Sequence, residues 1–370
     1  MIENTLRILV IGAGAVGGWI GGRLALGGHS VTLVGRQRLA DAVKADGLRL
    51  RSPGEEDRTT EVATHNVQVV TSIADAVPNG PFDLALFTVK TYDSEAAIEE
   101  LAAAAQAGDW SGTTIVSFQN GVQSERLLVE TFGPERVVAG TELNPISVPE
   151  PGTILLEKWR GGLGLAPMTP GASVERWARV FDKDVLPTRT YAGYRDMKWS
   201  KLLLNIIGNA SAAILDMNTA EVYADQRLFR LEVEMLRETV AVMLRQGIRP
   251  VNLPGYPVPL LAWGVRWAPR FVLRPIMRKL VAGGRGEKPP SLLLELRRGR
   301  QRSEVGDLNG AVVQAGEKNQ VSTPVNRALT EILSGLVVGH IQWDNIRRQP
   351  GVLLAVVAEL QRKAKEQDAD

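Results

Sequence analysis

A glycine-rich turn near the N-terminus constrains the fold of this chain more than any other feature. Residues 12–17 read Gly-Ala-Gly-Ala-Val-Gly, and they follow an aliphatic run at 6–11. The small and apolar residues 15–27 then predict a helix, and the run at 30–34 predicts a second strand. Strand, glycine turn, helix and strand within about 30 residues form one βαβ unit. In this context the G-x-G-x-x-G pattern predicts dinucleotide binding, whereas the pattern alone would be weak evidence.

Each glycine of the turn has its own physical task in that prediction. Gly12 permits the tight turn, Gly14 lets the backbone approach a pyrophosphate, and Gly17 allows close packing of helix and strand. The N-terminus of the helix adds amide donors and a partial positive charge. The alternative is a glycine-rich turn that binds no ligand. The cofactor-binding residues that the pattern predicts are Gly12, Ala13, Gly14, Ala15, Val16 and Gly17.

The residues after the second strand distinguish NADP(H) from NAD(H). Sites selective for NAD usually carry Asp or Glu about 20 residues beyond the glycines, but residues 35–38 here read Gly-Arg-Gln-Arg. A guanidinium binds a 2′-phosphate through paired, charge-assisted hydrogen bonds. We therefore expect NADP(H) as the cofactor, with Arg36 at its 2′-phosphate. The alternative is that Arg36 and Arg38 are solvated loop charges.

Strand and helix patterns alternate through the first half of the chain. This alternation predicts an α/β fold, a doubly wound Rossmann-type domain over residues 1–187 that binds NADP. A helix is predicted at 94–106, short strands at 48–51 and 67–70, and a hairpin at 152–165. The longer strands are predicted at 83–89, 114–118 and 136–140.

The pattern changes to helices near residue 195. Residues 188–370 are therefore predicted to form a mostly α-helical domain that carries the substrate and catalytic residues, with a basic insertion at about 248–290. The proline residues Pro269 and Pro275 argue against one uninterrupted helix in that insertion. The helices are predicted at 197–215, 226–246, 291–314 and 324–338.

Composition excludes several kinds of chemistry. The chain has no Cys, which excludes disulfides, thiolate nucleophiles and Cys-ligated metals. Its three histidines, His29, His65 and His340, are too scattered for a metal site, so we expect no metal. A net charge of +2 gives no reason to expect nucleic acid. We find neither a secretory signal nor a membrane span, and we expect a cytoplasmic protein.

A reductase of carbonyl compounds needs an acid near the carbonyl oxygen, where negative charge develops. None of the three histidines has a persuasive context, and Lys201 is the strongest candidate. On a continuous helix Lys201, Asn205 and Asn209 would project from one stripe, among apolar neighbours. Such a stripe needs polar partners or a ligand. The alternative is a lysine that reaches solvent and asparagines that bond to neighbouring helices.

Several motifs, matched in order along most of the chain, resemble the ketopantoate reductase family, the 2-dehydropantoate 2-reductases. Asn218 falls near a further Asn of the family, although Asp-Met-Asn-Thr at 216–219 departs from the usual pattern there, and Ser291 matches a family serine less securely. The matching segments are the turn at 12–17, Arg36, Thr-Val-Lys-Thr at 88–91, Phe-Gln-Asn-Gly-Val at 118–122, Trp199-x-Lys201 with Asn205 and Asn209, and Ser-Glu-Val-Gly-Asp-Leu-Asn-Gly at 303–310.

The resemblance implies an NADPH-dependent reduction of a small 2-keto acid, above all of 2-dehydropantoate to pantoate, in pantothenate and coenzyme A biosynthesis. By the same resemblance Lys201 would be the general acid, and Glu304 would hold the substrate hydroxyl and help to position Lys201. Lys90 and Asn120 would contact both cofactor and substrate. The other implied substrate contacts are Asn205, Asn209, Asn218 and Ser291.

Four alternatives stay open at this point. Glu304 could be a charge on a helix surface beside Arg302, and Lys90 could be a structural cation at a strand end. The chain could reduce a different 2-oxo acid or ketone, or it could be a non-catalytic NADP(H)-binding sensor or tethering module. The sequence also leaves open the exact substrate, a homodimer and the rate-limiting step.

The basic insertion is longer and more basic than its counterpart in a typical family member. Between Trp263 and Arg302 there are nine Arg and two Lys against two Glu, a net charge of +9, which leaves −7 for the rest of the chain. A basic face beside an aromatic face could dock on an anionic membrane or an acidic partner. We favour instead a lid or cap over the active site, or a subunit contact.

Overall fold

The computed structural model describes residues 5–53, 60–62, 66–285 and 289–367. By its contacts the chain divides into two compact units, and the division falls between Lys198 and Trp199. The boundary near Pro187 remains a prediction from the sequence. The first unit comprises Met1–Asn120, Ser124–Lys198 and Leu253–Tyr256, and the second comprises Gly121–Gln123, Trp199–Asn252 and Pro257–Asp370.

Strands and helices alternate through most of the first unit, as the sequence predicts. Its strands are β1 (Arg7–Ile11), β2 (Ser30–Val34), β3 (Leu48–Arg51), β4 (Thr60–Val62), β5 (Val67–Val70), β6 (Leu84–Phe87), β7 (Thr114–Ser117), β8 (Val137–Glu142), β9 (Ile146–Glu150), β10 (Thr153–Leu156), β11 (Leu163–Pro167) and β12 (Thr188–Thr190). Its helices are α1 (Ala15–Leu26), α2 (Gln37–Asp46), α3 (Ser94–Ala107), α4 (Arg126–Phe132) and α5 (Glu175–Asp184), followed by α6 (Tyr194–Asn205), which runs into the second unit.

An eight-stranded sheet has the order β12-β11-β8-β7-β6-β1-β2-β5 and is parallel except where β11 pairs with β8. The run from β5 to β8 has the strand order of a doubly wound dinucleotide-binding sheet. Strand β1 is buried on both faces because alternate residues point to opposite sides. Ile8 and Val10 join one apolar cluster, and Leu9 and Ile11 join another. The predicted Rossmann-type fold is confirmed.

The hairpin predicted at 152–165 is wrong. Thr153–Leu156 pairs with the preceding strand, Ile146–Glu150, and with β3, in a separate four-stranded sheet. Leu163–Pro167 instead pairs with β8 in the main sheet. The tight turn comes earlier than expected because Gly152 takes the left-handed conformation, with φ +78°.

The second unit is helical in the part of the chain that is described. Helix α9 packs against α8, α10, α13, α14 and α15. No helix among the described residues has the length and apolarity needed to cross a bilayer. The helices after α6 are α7 (Ala210–Leu215), α8 (Thr219–Ala224), α9 (Gln226–Arg245), α10 (Val258–Trp267), α11 (Arg270–Arg285), α12 (Ser291–Arg297), α13 (Asn309–Lys318), α14 (Pro324–Val337) and α15 (Pro350–Gln367).

Two long helices predicted from the sequence are each broken in the structure. Residues 197–215 divide between α6 and α7, and residues 291–314 divide between α12 and α13. Gly208 (φ +55°) and Gly299 (φ +64°) lie in these breaks, in a conformation that favours glycine. The insertion does form two helices, α10 and α11, but Pro275 lies inside α11 rather than interrupting it.

The carboxylate of Glu238 on α9 holds the start of α14. It accepts hydrogen bonds from the backbone N–H groups of Val325 and Asn326, each at 2.9 Å, and from the Asn326 side chain at 2.7 Å. Burial opposes ionisation more strongly than these donors favour it, and it raises the pKa of Glu238 from 4.5 to about 7.

This pKa predicts that stability falls as the pH rises between about 4.5 and about 7. In that window the unfolded chain releases the Glu238 proton and the folded chain retains it, so ionisation favours unfolding. The loss should reach about 3 kcal/mol. Urea unfolding of the wild type and of Glu238→Gln at a series of pH values measures it. The variant should lack this component of the pH dependence, and parallel curves would contradict the assignment.

Candidate active site

Four neighbouring strands carry the predicted nucleotide-binding residues at the same edge of the sheet. Ile11 of β1 is in register with Val34 of β2 and with Phe87 of β6, and Phe87 is in register with Ser117 of β7. The chain leaves these strands at their carboxyl ends, where open α/β sheets bind ligands. The residues that follow β7, β6, β1 and β2 are, respectively, Asn120, Lys90, the turn at 12–17 and Arg36.

The glycine turn is packed too closely for larger residues at two positions. A Cβ on Gly12, which has φ +97°, would lie 2.8 Å from the backbone nitrogen of Val89. A Cβ on Gly17 would lie 2.4 Å from the Thr88 hydroxyl oxygen. That hydroxyl donates to the carbonyl oxygens of Ile11 and Gly12, at 3.0 and 2.8 Å. The turn is therefore held against the end of β6.

The space above the same turn suits an anionic ligand. A Cβ on Gly14 would have no other heavy atom within 4 Å, so the backbone there faces open space. Gly14 is also the N-cap of α1, and no side chain caps this helix end. Backbone N–H groups and the helix dipole are thus available to a pyrophosphate. Ala13, Ala15 and Val16 complete the turn, and the residues present fit the pyrophosphate of a dinucleotide.

Arg36 is exposed and is the N-cap of α2, directly after β2. Asp41, the first carboxylate of this helix, accepts a hydrogen bond from Gln37 at 2.8 Å. The position after β2 is therefore occupied by a guanidinium, the group that suits a phosphate better than a ribose hydroxyl.

The segment after β7 is tied to the end of β6 through Gln119. Its side-chain amide donates to the carbonyl oxygen of Val89 at 2.9 Å and to the Ser94 hydroxyl at 2.7 Å. Asn120 and Lys90, the neighbours of these anchored residues, are both half-buried. Because adjacent strand ends are bonded together, the structure brings the segments that carry Asn120 and Lys90 together.

A buried ion pair fixes the same segment to α6. The Lys198 ammonium donates to the carbonyl oxygen of Gln119 at 2.7 Å, to the Ser124 hydroxyl at 3.2 Å and to the Glu125 carboxylate at 2.7 Å. Both charged side chains are only 1% exposed. Sequence reasoning missed this pair. Lys198 lies one helical turn before the buried Leu202, which is a signal, but nothing local could identify a partner 73 positions away.

The Lys198 contacts also separate the roles of the two lysines on α6. An ammonium group has three N–H donors, and Lys198 uses all three in buried contacts. Lys198 is therefore structural. Lys201 and Asn205 are half-buried and lie one turn apart on α6, so they share a face.

Asn209 does not continue that stripe, which corrects the prediction of one helix. The helix breaks after Asn205 because the Gly208 N–H donates to the buried Glu232 carboxylate at 2.7 Å, and Asn209 becomes the N-cap of α7. Glu232 also accepts from the hydroxyls of Ser211 and Tyr223. Sequence reasoning missed Glu232, although its place on the apolar face of α9 is a usable signal.

The Asn209 side chain still bonds to two other residues that are predicted to contact the substrate, Asn205 and Ser291. Its side-chain amide donates to the Asn205 carbonyl oxygen at 3.1 Å and to the Ser291 hydroxyl at 3.4 Å. Its side-chain oxygen accepts from the backbone N–H of Leu292 at 3.3 Å. The break in the helix therefore joins the end of α6 to the start of α12, and it brings Asn205, Asn209 and Ser291 together.

Glu304 is buried, and Asn218 caps a helix. Glu304 is buried and lies in a turn between α12 and α13, so it is not a helix-surface charge. Asn218 is the N-cap of α8: its side-chain oxygen accepts from the Glu221 N–H at 2.8 Å, and the Glu221 carboxylate accepts from the Asn218 N–H at 2.7 Å. The side-chain oxygen of Asn218 therefore has a structural role as the cap of α8.

The two histidines that the structure describes, His29 and His340, lie apart from the predicted nucleotide-binding turn and have no hydrogen bond to Lys201, Asn205, Asn209 or Ser291. His29 is buried, and its ring nitrogens lie 3.2 Å from the Leu6 N–H donor and 3.2 Å from the Asp184 carboxylate. His340 is exposed, and His65 lies outside the described residues. Within the ranges that the structure describes, no three His, Asp or Glu side chains are grouped so that they could hold a metal ion.

Comparison with known families finds matches to both parts of the chain. The sequence model described as "Ketopantoate reductase PanE/ApbA" matches residues 8–168, and its C-terminal counterpart matches residues 194–337. The 2-dehydropantoate 2-reductase of Pyrococcus horikoshii is 26% identical over 87% of this chain and 94% of its own length. The enzyme of the same name from Halobacterium salinarum is 28% identical over 89% and 98%.

Solved structures agree with these sequence matches. A PanE/ApbA family ketopantoate reductase from Ralstonia eutropha superposes with a TM-score of 0.72 at 26% identity, over 90% of this chain and 98% of that one. D-mandelate dehydrogenase with bound NADH gives a TM-score of 0.74 over 91% and 100%, at 20% identity, a level that indicates a shared fold.

Substitution of Lys198 tests the structural role of the buried pair. Lys198→Met should lower the free energy of unfolding by about 3–5 kcal/mol, because it leaves the Glu125 carboxylate buried without a cationic partner. Lys198→Met combined with Glu125→Gln should recover most of that loss. Denaturant unfolding measures both variants.

The matched control for this experiment is Lys363→Met on α15. Lys363 lies 3.5 Å from Glu359 and both are exposed, so this loss should stay below about 1 kcal/mol. Equal losses for Lys198→Met and Lys363→Met, or additive losses in the double variant, would contradict a buried and coupled pair.

Proposed function

Because the chain belongs to the ketopantoate reductase family, an oxidoreductase family that acts on CH–OH groups, we propose that it reduces 2-dehydropantoate to pantoate with NADPH. This reaction belongs to the biosynthesis of pantothenate. The observation that carries the proposal is the polar group in the second unit: Lys201 and Asn205 share a face of α6, and Asn209 is hydrogen-bonded to Ser291.

In this proposal the first unit holds the cofactor. The turn at 12–17 accommodates the pyrophosphate, which accepts hydrogen bonds from backbone N–H groups at the start of α1, and Arg36 binds the 2′-phosphate. Lys90 and Asn120, at the ends of two neighbouring strands, contact the nicotinamide part and the keto acid. When bound, the reduced nicotinamide supplies a hydride.

The second unit supplies the acid and the polar contacts. Lys201 donates a proton to the ketone oxygen, where negative charge develops during reduction. Asn205, Asn218 and Ser291 share hydrogen bonds to the carboxylate and hydroxyl of the keto acid, and Asn209 positions Asn205 and Ser291 through its side-chain amide. Their amide and hydroxyl groups are chemically suited to both. In this proposal Glu304, which is buried, binds the substrate hydroxyl and orients Lys201.

The reaction itself is tested by NADPH oxidation, followed at the absorbance band of the reduced cofactor. The wild type should turn over 2-dehydropantoate faster than other 2-oxo acids. Lys201→Met should lower kcat by about 10²–10⁴-fold, because the proton donor is lost, while NADPH affinity measured by fluorescence stays close to that of the wild type.

Lys318→Met, a substitution of an exposed lysine on α13, is the control and should retain full activity. A faster reaction with a different 2-oxo acid would keep the chemistry and replace the substrate. NADPH binding without turnover of any keto acid would overturn the proposal in favour of a non-catalytic NADP(H)-binding module.

The preference for NADPH has a separate test in Arg36→Ala. Loss of the charged hydrogen bonds should weaken NADPH binding by roughly ten- to a hundredfold and leave NADH binding nearly unchanged. Arg38→Ala, in the first turn of the same helix, is the matched control and should have a smaller effect. Equal losses for the two cofactors, measured as dissociation constants, would remove Arg36 from the 2′-phosphate site.

A further inference from the structure

Helix α10 carries an apolar stripe on its outward face. Leu260, Trp263 and Trp267 are spaced three and four residues apart, so they share one face, and they are 65%, 60% and 64% exposed. The opposite face, with Val258 and Val265, is buried. The helix is therefore apolar on both sides, and only the inner side is explained by packing within the second unit.

Helix α11 also exposes apolar side chains to solvent. On α11, Phe271 is 80% exposed, and Val272 and Ile276 are exposed as well, while Leu273 and Met277 are buried. Of the thirteen large apolar side chains that are exposed among the described residues, six lie on these two consecutive helices. Such a concentration marks an interaction site more often than chance exposure. We call Leu260, Trp263, Trp267, Phe271, Val272 and Ile276 the α10–α11 surface.

All the charged side chains in the segment that carries this surface are positive. Residues 239–286 contain seven Arg and one Lys but no Asp or Glu. Arg270 pairs with Glu234 of α9, and Arg274 donates to the Ala224 carbonyl oxygen at 2.5 Å, so these two arginines contribute to packing.

Arg266, Arg278 and Lys279 lie on the same two helices as the exposed apolar side chains. The guanidinium of Arg266 lies 4.8 Å from the centre of the Trp267 ring, and Arg278 and Lys279 are exposed on α11. Tryptophan and phenylalanine beside arginine and lysine form the combination with which helices bind the interface of anionic membranes.

We propose that the α10–α11 surface docks on an anionic lipid bilayer. The indole and phenyl groups enter the headgroup region, and Arg266, Arg278 and Lys279 contact lipid phosphates. A second copy of the chain is a poorer occupant of this surface. If the α10–α11 surfaces of two copies faced each other, their positive charges would repel, and residues 239–286 contain no Asp or Glu that could pair with them. This proposal differs from the lid or subunit contact that the sequence analysis favours.

Flotation of the full chain with lipid vesicles tests the proposal. One set of vesicles is phosphatidylcholine alone, and in the other about a third of the lipid is phosphatidylglycerol. The wild type should float with the anionic vesicles and remain below the neutral ones. Binding should weaken as sodium chloride is raised from about 50 to about 500 mM, because salt screens the attraction.

Two sets of substitutions separate the apolar and the charged contributions. Trp263→Ser with Trp267→Ser should weaken binding to anionic vesicles at least about tenfold. Arg266→Gln, Arg278→Gln and Lys279→Gln together should weaken it by about fivefold for each charge removed. Trp159→Ser, at an exposed tryptophan of the first unit, is the matched control and should bind like the wild type. Unchanged thermal unfolding midpoints show that each variant is folded.

Several outcomes would overturn the assignment. These are no flotation with anionic vesicles, equal flotation with neutral ones, or wild-type binding by both sets of variants. A dimer in light scattering that Trp263→Ser with Trp267→Ser dissociates, without vesicle binding, would identify the surface as a subunit contact. Binding of poly-L-glutamate without vesicle binding would identify an acidic protein as its partner.

Discussion

The close packing of the glycine turn on the end of β6 is the constraint on which the first unit depends. Gly12 and Gly17 have no room for a Cβ, since Val89 and Thr88 already lie against them. This contact aligns the end of β1 with the end of β6, and the parallel register extends the alignment to β2 and β7. The residues predicted to bind the cofactor consequently follow neighbouring strands.

Buried carboxylates and one buried ammonium organise the chain around the predicted catalytic residues. Lys198 fixes the segment beside Asn120 through a carbonyl, a hydroxyl and Glu125. Glu232 accepts the Gly208 N–H just after the end of α6, and Asn209, the next residue, bonds to Ser291. A buried charge tolerates only a narrow geometry, because any lost partner leaves it unsatisfied in a medium of low polarity. Such groups therefore give positional accuracy to the residues next to them.

The charge of the chain is unevenly distributed. A total of +2 combines +9 between Trp263 and Arg302 with −7 elsewhere. The basic part lies largely on α10 and α11, where exposed aromatic residues accompany it. The C-terminal family model matches residues 194–337, so α10 and α11 lie within the matched region together with α7, α8 and α9.

The sequence by itself determined the Rossmann-type fold, the helical second unit and the cofactor turn, because strand alternation, helical periodicity and G-x-G-x-x-G are local patterns. It also identified Lys201 as the candidate acid. Only the tertiary structure decided that Asn209 caps a second helix, that Glu304 is buried and that Lys198 pairs with Glu125. The physical reason is distance along the chain. A carboxylate such as Glu232 breaks a helix, and Glu125 neutralises a lysine, from positions that no local pattern connects to them.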